Sequence, residues 1–201
     1  MQNLIEWDKE LLLYLNSLHT DWLDPIMMLF TQTLFWLPLY ALLVYMMIRT
    51  YGKSSWIPLL GIALTIFLAD RITSGLMKPY FARFRPSHEP TLQGLLHLVD
   101  GYTGGLYGFA SSHAANTFGT ATFFWLLFHN RYKWIVLLFP WAVIMTYTRI
   151  YLGVHYPGDI LVGGLIGIAS GWAGYKLFQA LDRWRTQRAA TVADAGPKPG
   201  I

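Results

Sequence analysis

The sequence contains no cysteine, which excludes disulfide scaffolds, thiolate metal sites and cysteine nucleophiles. Charged residues are also scarce, at 13% of the 201 residues, against roughly 25% in soluble domains. Apolar types reach 54% and aromatics 16%, a balance that excludes a disordered chain and argues against an ordinary water-soluble enzyme. The net charge of +4 does not by itself indicate nucleic acid, because the basic residues must first be placed against a bilayer. We predict an integral membrane protein without a nucleic-acid partner.

Five stretches are predicted to cross the membrane, since a spanning helix needs about 20 mostly apolar residues. They are residues 25–48, 56–77, 113–128, 134–150 and 159–181. The last stretch is rich in glycine, which favours close helix packing. The sequence therefore predicts an all-α fold: an integral membrane helical bundle of about five transmembrane helices, within a membrane-embedded domain of residues 25–185.

The two ends of the chain differ from this domain. Residues 4–18 place apolar side chains at helical spacing among acidic ones, and the stretch is too short and too charged to span. We predict an amphipathic interfacial helix within an N-terminal segment of residues 1–24. Residues 186–201 are rich in Ala and include Pro and Gly near the end, and we predict a disordered cytoplasmic tail there.

The distribution of Lys and Arg predicts the orientation. With five spans, nine of these residues fall on the side of the C-terminus and five on the side of the N-terminus, while Arg71 lies inside the second span. Because short cytoplasmic loops carry the excess of positive charge, we expect the N-terminus outside and the C-terminus in the cytoplasm.

Three polar segments lie at the predicted outer ends of the helices: residues 78–86, 110–113 and 148–159. Fixed cations with helix-terminal N–H groups form a pocket suited to phosphate. Two histidines suit covalent catalysis, in which one attacks phosphorus and the other protonates the leaving oxygen. A carboxylate four residues after the second histidine can hold its tautomer. The residues that offer this chemistry are Lys78, Arg85, Arg149, His113, His155 and Asp159.

These segments resemble the three motifs of the type 2 phosphatidic acid phosphatase superfamily, which also includes vanadate-dependent haloperoxidases and glucose-6-phosphatase. The first motif, Lys, six residues, then Arg-Pro, is matched fully by residues 78–86. The second, Pro-Ser-Gly-His, is Ala-Ser-Ser-His at residues 110–113. The third, Ser-Arg, five residues, His, three residues, Asp, is matched by residues 148–159 with Thr in place of Ser. No reacting group is lost.

The resemblance implies a role for each residue. His155 would be the nucleophile that forms a phosphohistidine, with Asp159 as its orienting partner and His113 as the general acid. The phosphate oxygens would be held by Lys78, Arg85, Ser111 and Arg149, together with the backbone N–H of Ser112. No metal and no other cofactor is expected in the family.

The function implied is a membrane phosphatase that hydrolyses a lipid phosphate or pyrophosphate at the outer face of a bacterial cytoplasmic (inner) membrane. Candidate substrates are undecaprenyl pyrophosphate, phosphatidylglycerol phosphate and phosphatidic acid, with lipid A as a close variant. The sequence does not rank these lipids and does not reveal the oligomeric state.

Four other interpretations use the same residues. His113, His155 and Asp159 are possible zinc ligands by residue type. An acyl hydrolase built on Ser111 would leave the three cations unexplained. A vanadate haloperoxidase would share the anion site. A non-catalytic protein that binds or transports a lipid phosphate would use the cations without releasing phosphate.

Other polar residues near the motifs receive lesser roles. We interpret Arg83 as a surface cation, because the motif does not require it. Asp70 and Arg71, inside the second span, are interpreted as structural. His88 and Glu89 follow the first motif and are expected to touch the substrate headgroup.

Overall fold

The computed structural model describes residues 2–194, and this part of the chain is mainly helical. The helices are α1 (Gln2–Ser17), α2 (Asp24–Phe30), α3 (Leu37–Tyr51), α4 (Trp56–Asp70), α5 (Lys78–Phe81), α6 (Ser112–Phe128), α7 (Leu138–Tyr151) and α8 (Pro157–Asp194). A π-helical segment, Arg71–Met77, joins α4 to α5. Residues 2–194 contain no strand, although Phe84 and Tyr107 form an isolated antiparallel bridge. The predicted all-α bundle is confirmed.

Within residues 2–194, four helical segments are long and apolar enough to cross a membrane. They are Thr33–Ser54, Trp56–Phe81, Lys133–Tyr151 and Pro157–Thr191. The other predicted span is α6, whose 17 residues extend about 25 Å. This helix packs against α4, α7 and α8, so it forms the centre of the bundle. The chain is therefore a multi-pass membrane protein.

The first predicted span is wrong as a single helix. The chain leaves α2 after Phe30 and makes a separate 3₁₀ turn at Thr33–Trp36 before α3 begins. Pro25 and Pro38 lie in the first turns of α2 and α3. Proline lacks an N–H and is tolerated at the start of a helix but not inside one. The apolar run over residues 25–48 therefore holds two helices.

The last helix is longer than the sequence predicts. It continues to Asp194, because residues 187–190, Gln-Arg-Ala-Ala, favour helix. Residues 186–194 of the expected disordered tail are thus helical, which corrects that expectation, and residues 195–201 lie outside the described residues. Arg185, just before these residues, bonds to Ser54 in the link between α3 and α4.

Glycines allow α8 to contact α6 and α4 backbone to backbone. A Cβ atom added to any of four α8 glycines would collide with a carbonyl oxygen of a facing residue. The pairs are Gly163 with Ser111, Gly167 with Ala115, Gly171 with Gly119 and Gly174 with Gly61. This close packing, expected from the glycine-rich sequence, brings the N-terminal ends of α6 and α8 together.

Helix α1 lies across the end of the bundle where α7 ends and α8 begins. Leu12 is fully buried, and its cluster includes Ile150 of α7 and Tyr156 of the α7–α8 link. Large apolar side chains elsewhere on α1, including Leu4, Trp7 and Leu11, are exposed. Helix α1 thus packs on the bundle through Leu12 while exposing other apolar side chains, and its placement at the membrane interface stays a prediction.

Candidate active site

The three polar segments meet at one end of the bundle. Successive helices run in alternate directions, so the end of α4, the start of α6, the end of α7 and the start of α8 share this end. The Ser111 N–H donates to the Asp159 carbonyl at 3.0 Å, which joins the second motif to the third. Each predicted site residue lies at or beside a helix terminus: Lys78, Arg85, Ser111, Ser112, His113, Arg149, His155 and Asp159.

His155 and Asp159 form a buried pair. The His155 Nδ1 atom lies 3.2 Å from Asp159 Oδ2, and neither side chain is more than 1% exposed. The same oxygen accepts the Tyr156 N–H at 3.1 Å. Burial, with the nearby Arg85 and Arg149 guanidinium groups, holds the pKa of His155 well below its ordinary value. The imidazole is thus neutral at pH 7, and a proton on Nδ1 leaves the Nε2 lone pair free.

Arg85 and Arg149 are buried cations. They are 9% and 2% exposed, and within residues 2–194 neither forms a salt bridge. Arg149 donates to the hydroxyls of Thr31 and Tyr102, and Arg85 Nε donates to the Tyr107 carbonyl at 3.2 Å. Burial, followed by repulsion from Arg149, lowers the pKa of Arg85.

Each of these two guanidinium groups also keeps a buried donor atom, Arg85 Nη1 and Arg149 Nε, without a partner among the described residues. An unpaired buried cation is costly, and arginine favours phosphate oxygens. The arrangement therefore suits a bound oxyanion.

Lys78 is held by hydroxyl groups. Its Nζ donates to Ser112 Oγ at 2.7 Å and approaches Ser74 Oγ at 3.4 Å. Ser112 Oγ also lies 2.7 Å from Ser74 Oγ and 3.0 Å from Thr73 Oγ1. Ser74 and Thr73 belong to the π-helical segment, a type of distortion that frequently occurs at functional sites.

Ser111 and His113 occupy the start of α6. Ser111 is fully buried, and its Oγ caps the helix by accepting the Ala114 N–H at 3.4 Å. His113, in the first turn, lines a cavity between α3, α4, α6 and α7. Within residues 2–194, no group of three His, Asp or Glu side chains has the arrangement of a metal site, so the zinc interpretation has no ligand cluster in this part of the chain.

The interpretation of Arg83 as a surface cation is wrong. Its guanidinium group bonds to Asp159 Oδ1 at 3.0 Å and to Asp8 Oδ2 at 2.8 Å. The motif gave no signal for either contact. An extended segment through residues 83–85 would place Arg83 and Arg85 on one face, but the sequence does not predict that segment.

The structure also places the other polar residues singled out near the motifs. His88 Nε2 is 3.4 Å from the Gly104 carbonyl, and Glu89 accepts a hydrogen bond from Thr91. Asp70 and Arg71 are exposed on the protein surface, and Arg71 lies over the Phe67 ring. Neither forms a salt bridge among the described residues.

Curated relatives match most of the chain. A protein named lipid A 4'-phosphatase from Bacteroides thetaiotaomicron is 40% identical over 180 residues, covering 89% of this chain and 80% of that protein. Another of that name from Porphyromonas gingivalis is 33% identical, covering 92% of this chain and 78% of that protein.

Solved structures share the fold. The crystal structure of Aquifex aeolicus LpxE has a TM-score of 0.65 at 28% identity, covering 83% of this chain and 93% of that one. A PAP2-type phosphatidylglycerolphosphate phosphatase from Bacillus subtilis has a TM-score of 0.64 at 21% identity, covering 91% of this chain and 88% of that one. The family model described as the PAP2 superfamily matches residues 54–183. The chain is therefore a member of the PAP2 superfamily and a membrane lipid phosphatase of that family.

Proposed function

We propose that the protein hydrolyses a lipid phosphate or pyrophosphate through a phosphohistidine on His155, without a metal ion. The observation that carries this proposal is the pair of buried guanidinium groups, Arg85 and Arg149, which lack carboxylate partners among the described residues beside a neutral imidazole. An oxyanion would satisfy their free donors, and bound there it would lie close to His155.

The reaction has two steps. His155 Nε2 attacks phosphorus, and the bond from phosphorus to the leaving oxygen breaks while His113 donates a proton to that oxygen. Asp159, bonded to Nδ1, stabilises the cationic ring of the phosphohistidine. Water then attacks phosphorus with His113 as the base. This step releases phosphate and restores the neutral imidazole of His155. Cations around the site stabilise the negative charge of the transition state.

A cavity beside His113 supports a lipid substrate. It has a volume of about 390 Å³ and a mainly apolar lining that includes Leu43, Ile62 and Phe124. It lies between helices that are predicted to face lipid, so an acyl or prenyl chain would occupy it while the phosphate sits at the cations. The substrate would enter sideways from the leaflet, phosphate first.

The orientation of the protein is part of the proposal. Counting Lys and Arg assigns the end that holds Arg185 and Ser54 to the cytoplasm and the opposite end, with the candidate site, to the outer face. The membrane would be a bacterial cytoplasmic (inner) membrane, whose outer leaflet supplies the substrate. His88 and Glu89 lie in the loop that would face the headgroup.

Phosphate release from a panel of lipids tests this function. The panel holds lipid A, undecaprenyl pyrophosphate, phosphatidylglycerol phosphate and phosphatidic acid, with detergent-purified protein and excess chelator. We expect chelator-resistant release, and we expect lipid A to be the best substrate because the relatives of that name match most of the chain.

The same panel, together with a bromide oxidation assay, separates the alternatives. Release that stops on adding chelator would contradict metal independence. Lipid binding without release would favour the non-catalytic binding or transport protein. Bromide oxidation with added vanadate and peroxide would favour the haloperoxidase.

Ser112 is expected to act through its hydroxyl as well as its backbone N–H. Changing Ser112 to Ala or Gly keeps the N–H but removes the bond to Lys78 Nζ. A hydrogen bond to a charged group contributes about 1.5–3 kcal/mol, so we expect the Ki of inorganic phosphate to rise about 10- to 100-fold.

The matched control is Thr146→Val, which removes a buried hydroxyl that bonds only to carbonyls of its own helix. An unchanged Ki in both Ser112 variants would show that Lys78 does not depend on this hydroxyl.

A further inference from the structure

Arg83 joins two carboxylates from distant parts of the chain. Its Nη1 donates to Asp159 Oδ1 at 3.0 Å and its Nη2 donates to Asp8 Oδ2 at 2.8 Å. The guanidinium carbon lies 3.9 Å from the centre of the Tyr156 ring. Two hydrogen bonds and a stacked ring hold the planar group in one orientation, a role that lysine can reproduce only in part.

The bond from Arg83 determines how Asp159 faces its histidine. Asp159 Oδ1 accepts from Arg83, while Oδ2 accepts from the Tyr156 N–H and lies 3.2 Å from His155 Nδ1. The carboxylate is fully buried, so in the folded protein Oδ1 relies on Arg83 rather than on bulk water for a donor. Without Arg83, Oδ1 would lose its charged partner, and the carboxylate would be free to turn away from the ring.

Asp8 connects the same group to helix α1. Its Oδ1 accepts the Gly158 N–H at 2.7 Å, in the first turn of α8, where a negative charge is favourable. One helical face of α1 carries Asp8, Leu12 and Asn16, each four residues apart. The amide of Asn16 donates to the Tyr151 carbonyl at 2.7 Å. This face therefore contacts the chain on both sides of His155.

We propose that Arg83 and Asp8 are positioning residues for the His155–Asp159 pair, so that α1 helps to build the catalytic end of the protein. This inference rests on the proposed function, in which His155 is the nucleophile. Neither residue touches the phosphate; both act through the orientation of Asp159. Removing them slows the attack on phosphorus and leaves phosphate binding unchanged.

Steady-state kinetics of Arg83→Gln, Arg83→Lys and Asp8→Asn test the proposal. For Arg83→Gln we expect kcat to fall about 10- to 100-fold, the size seen when outer partners of liganding histidines are removed. KM and the Ki of phosphate should stay within about twofold. Arg83→Lys should recover part of the loss, and Asp8→Asn should show a smaller fall in kcat.

Matched controls separate positioning from charge. Arg85→Gln, two residues away, should raise the Ki of phosphate, because Arg85 is placed at the anion site. Arg131→Gln removes an exposed arginine that also lies over a tyrosine, Tyr132, but has no carboxylate partner among the described residues. Glu10→Gln removes an exposed carboxylate from α1. Both of these variants, Arg131→Gln and Glu10→Gln, should match the wild type in kcat and in the Ki of phosphate.

A spectroscopic measurement tests the inference independently of turnover. In ¹⁵N-histidine-labelled protein, with His155→Ala used to assign the signal, we expect wild-type His155 to hold its proton on Nδ1 and Arg83→Gln to show a mixture of tautomers. An unchanged tautomer and an unchanged kcat in Arg83→Gln would overturn the proposal. Equal rises in KM and Ki would overturn it in favour of phosphate binding. Absence of release by the wild type from every lipid would contradict the proposed function instead.

Discussion

Changing His155 to Ala is expected to reduce phosphate release by about 10⁴-fold or more, since removing the nucleophile of a catalytic unit removes the covalent route. No other imidazole pairs with a buried carboxylate in the described residues: His97 pairs with Asp24, but both side chains are partly exposed. Release of phosphate from the preferred lipid, measured in detergent, gives the comparison.

The control for this variant is His129→Ala. His129 lies at the opposite end of α6, stacked on Trp125, and its loss should leave the rate unchanged. The thermal transition of the His155 variant must match that of the wild type to show that it is folded. A folded variant with more than about a tenth of the wild-type rate would rule out the nucleophile assignment, because removing a nucleophile lowers the rate far more than about tenfold.

Changing His113 to Ala is expected to slow release from an alkyl phosphate by about 10²- to 10⁴-fold, the usual contribution of a general acid. The loss should depend on the leaving group. The nitrophenolate group of a nitrophenyl phosphate ester leaves without being protonated. We therefore expect the variant to hydrolyse this ester at a rate within about tenfold of the wild type. His113 lines the apolar cavity, which is consistent with a group that meets the leaving oxygen of a lipid substrate.

Rates on the two esters decide this prediction. Equal losses on both would mean that His113 supports the site without transferring the proton. The His129→Ala protein again serves as the control, because it removes an imidazole from the same helix.

The motifs predict which residues meet at the site, and the physical reason is local. Each motif residue lies near a helix end, and four of those ends are brought together by the alternation of apolar and polar segments along the chain. The glycines of α8 also predict the close helix packing that brings Ser111 into contact with Asp159. The order and spacing of the motifs and the lengths of the apolar segments therefore predict most of the fold.

The contacts that the sequence could not predict depend on long-range geometry. Asp8 and Asp159 are 151 positions apart, and only the packing of α1 against the α7–α8 link lets Arg83 reach both. The break between α2 and α3 is a different case. Pro38 is a visible signal for it, but residues 25–48 contain no charged residue, so the sequence predicts a single span there.

Ser112 shows how a departure from a family motif can be accommodated. Its backbone is helical at the start of α6, with no positive φ, so glycine is not required for conformation at this position. The added hydroxyl points to Lys78 and to the π-helical segment. The family residue and this residue therefore differ in what they offer the lysine, while both supply an N–H.

The most direct test of the account is to trap the covalent intermediate. Protein turning over a ³²P-labelled lipid phosphate is quenched in alkali, and the label on the protein is then exposed to acid. We predict label that is stable in alkali and labile in acid, that maps to the peptide containing His155, and that is absent from the His155→Ala protein. Turnover at the normal rate with no labelled protein, or label on a different residue, would contradict the account.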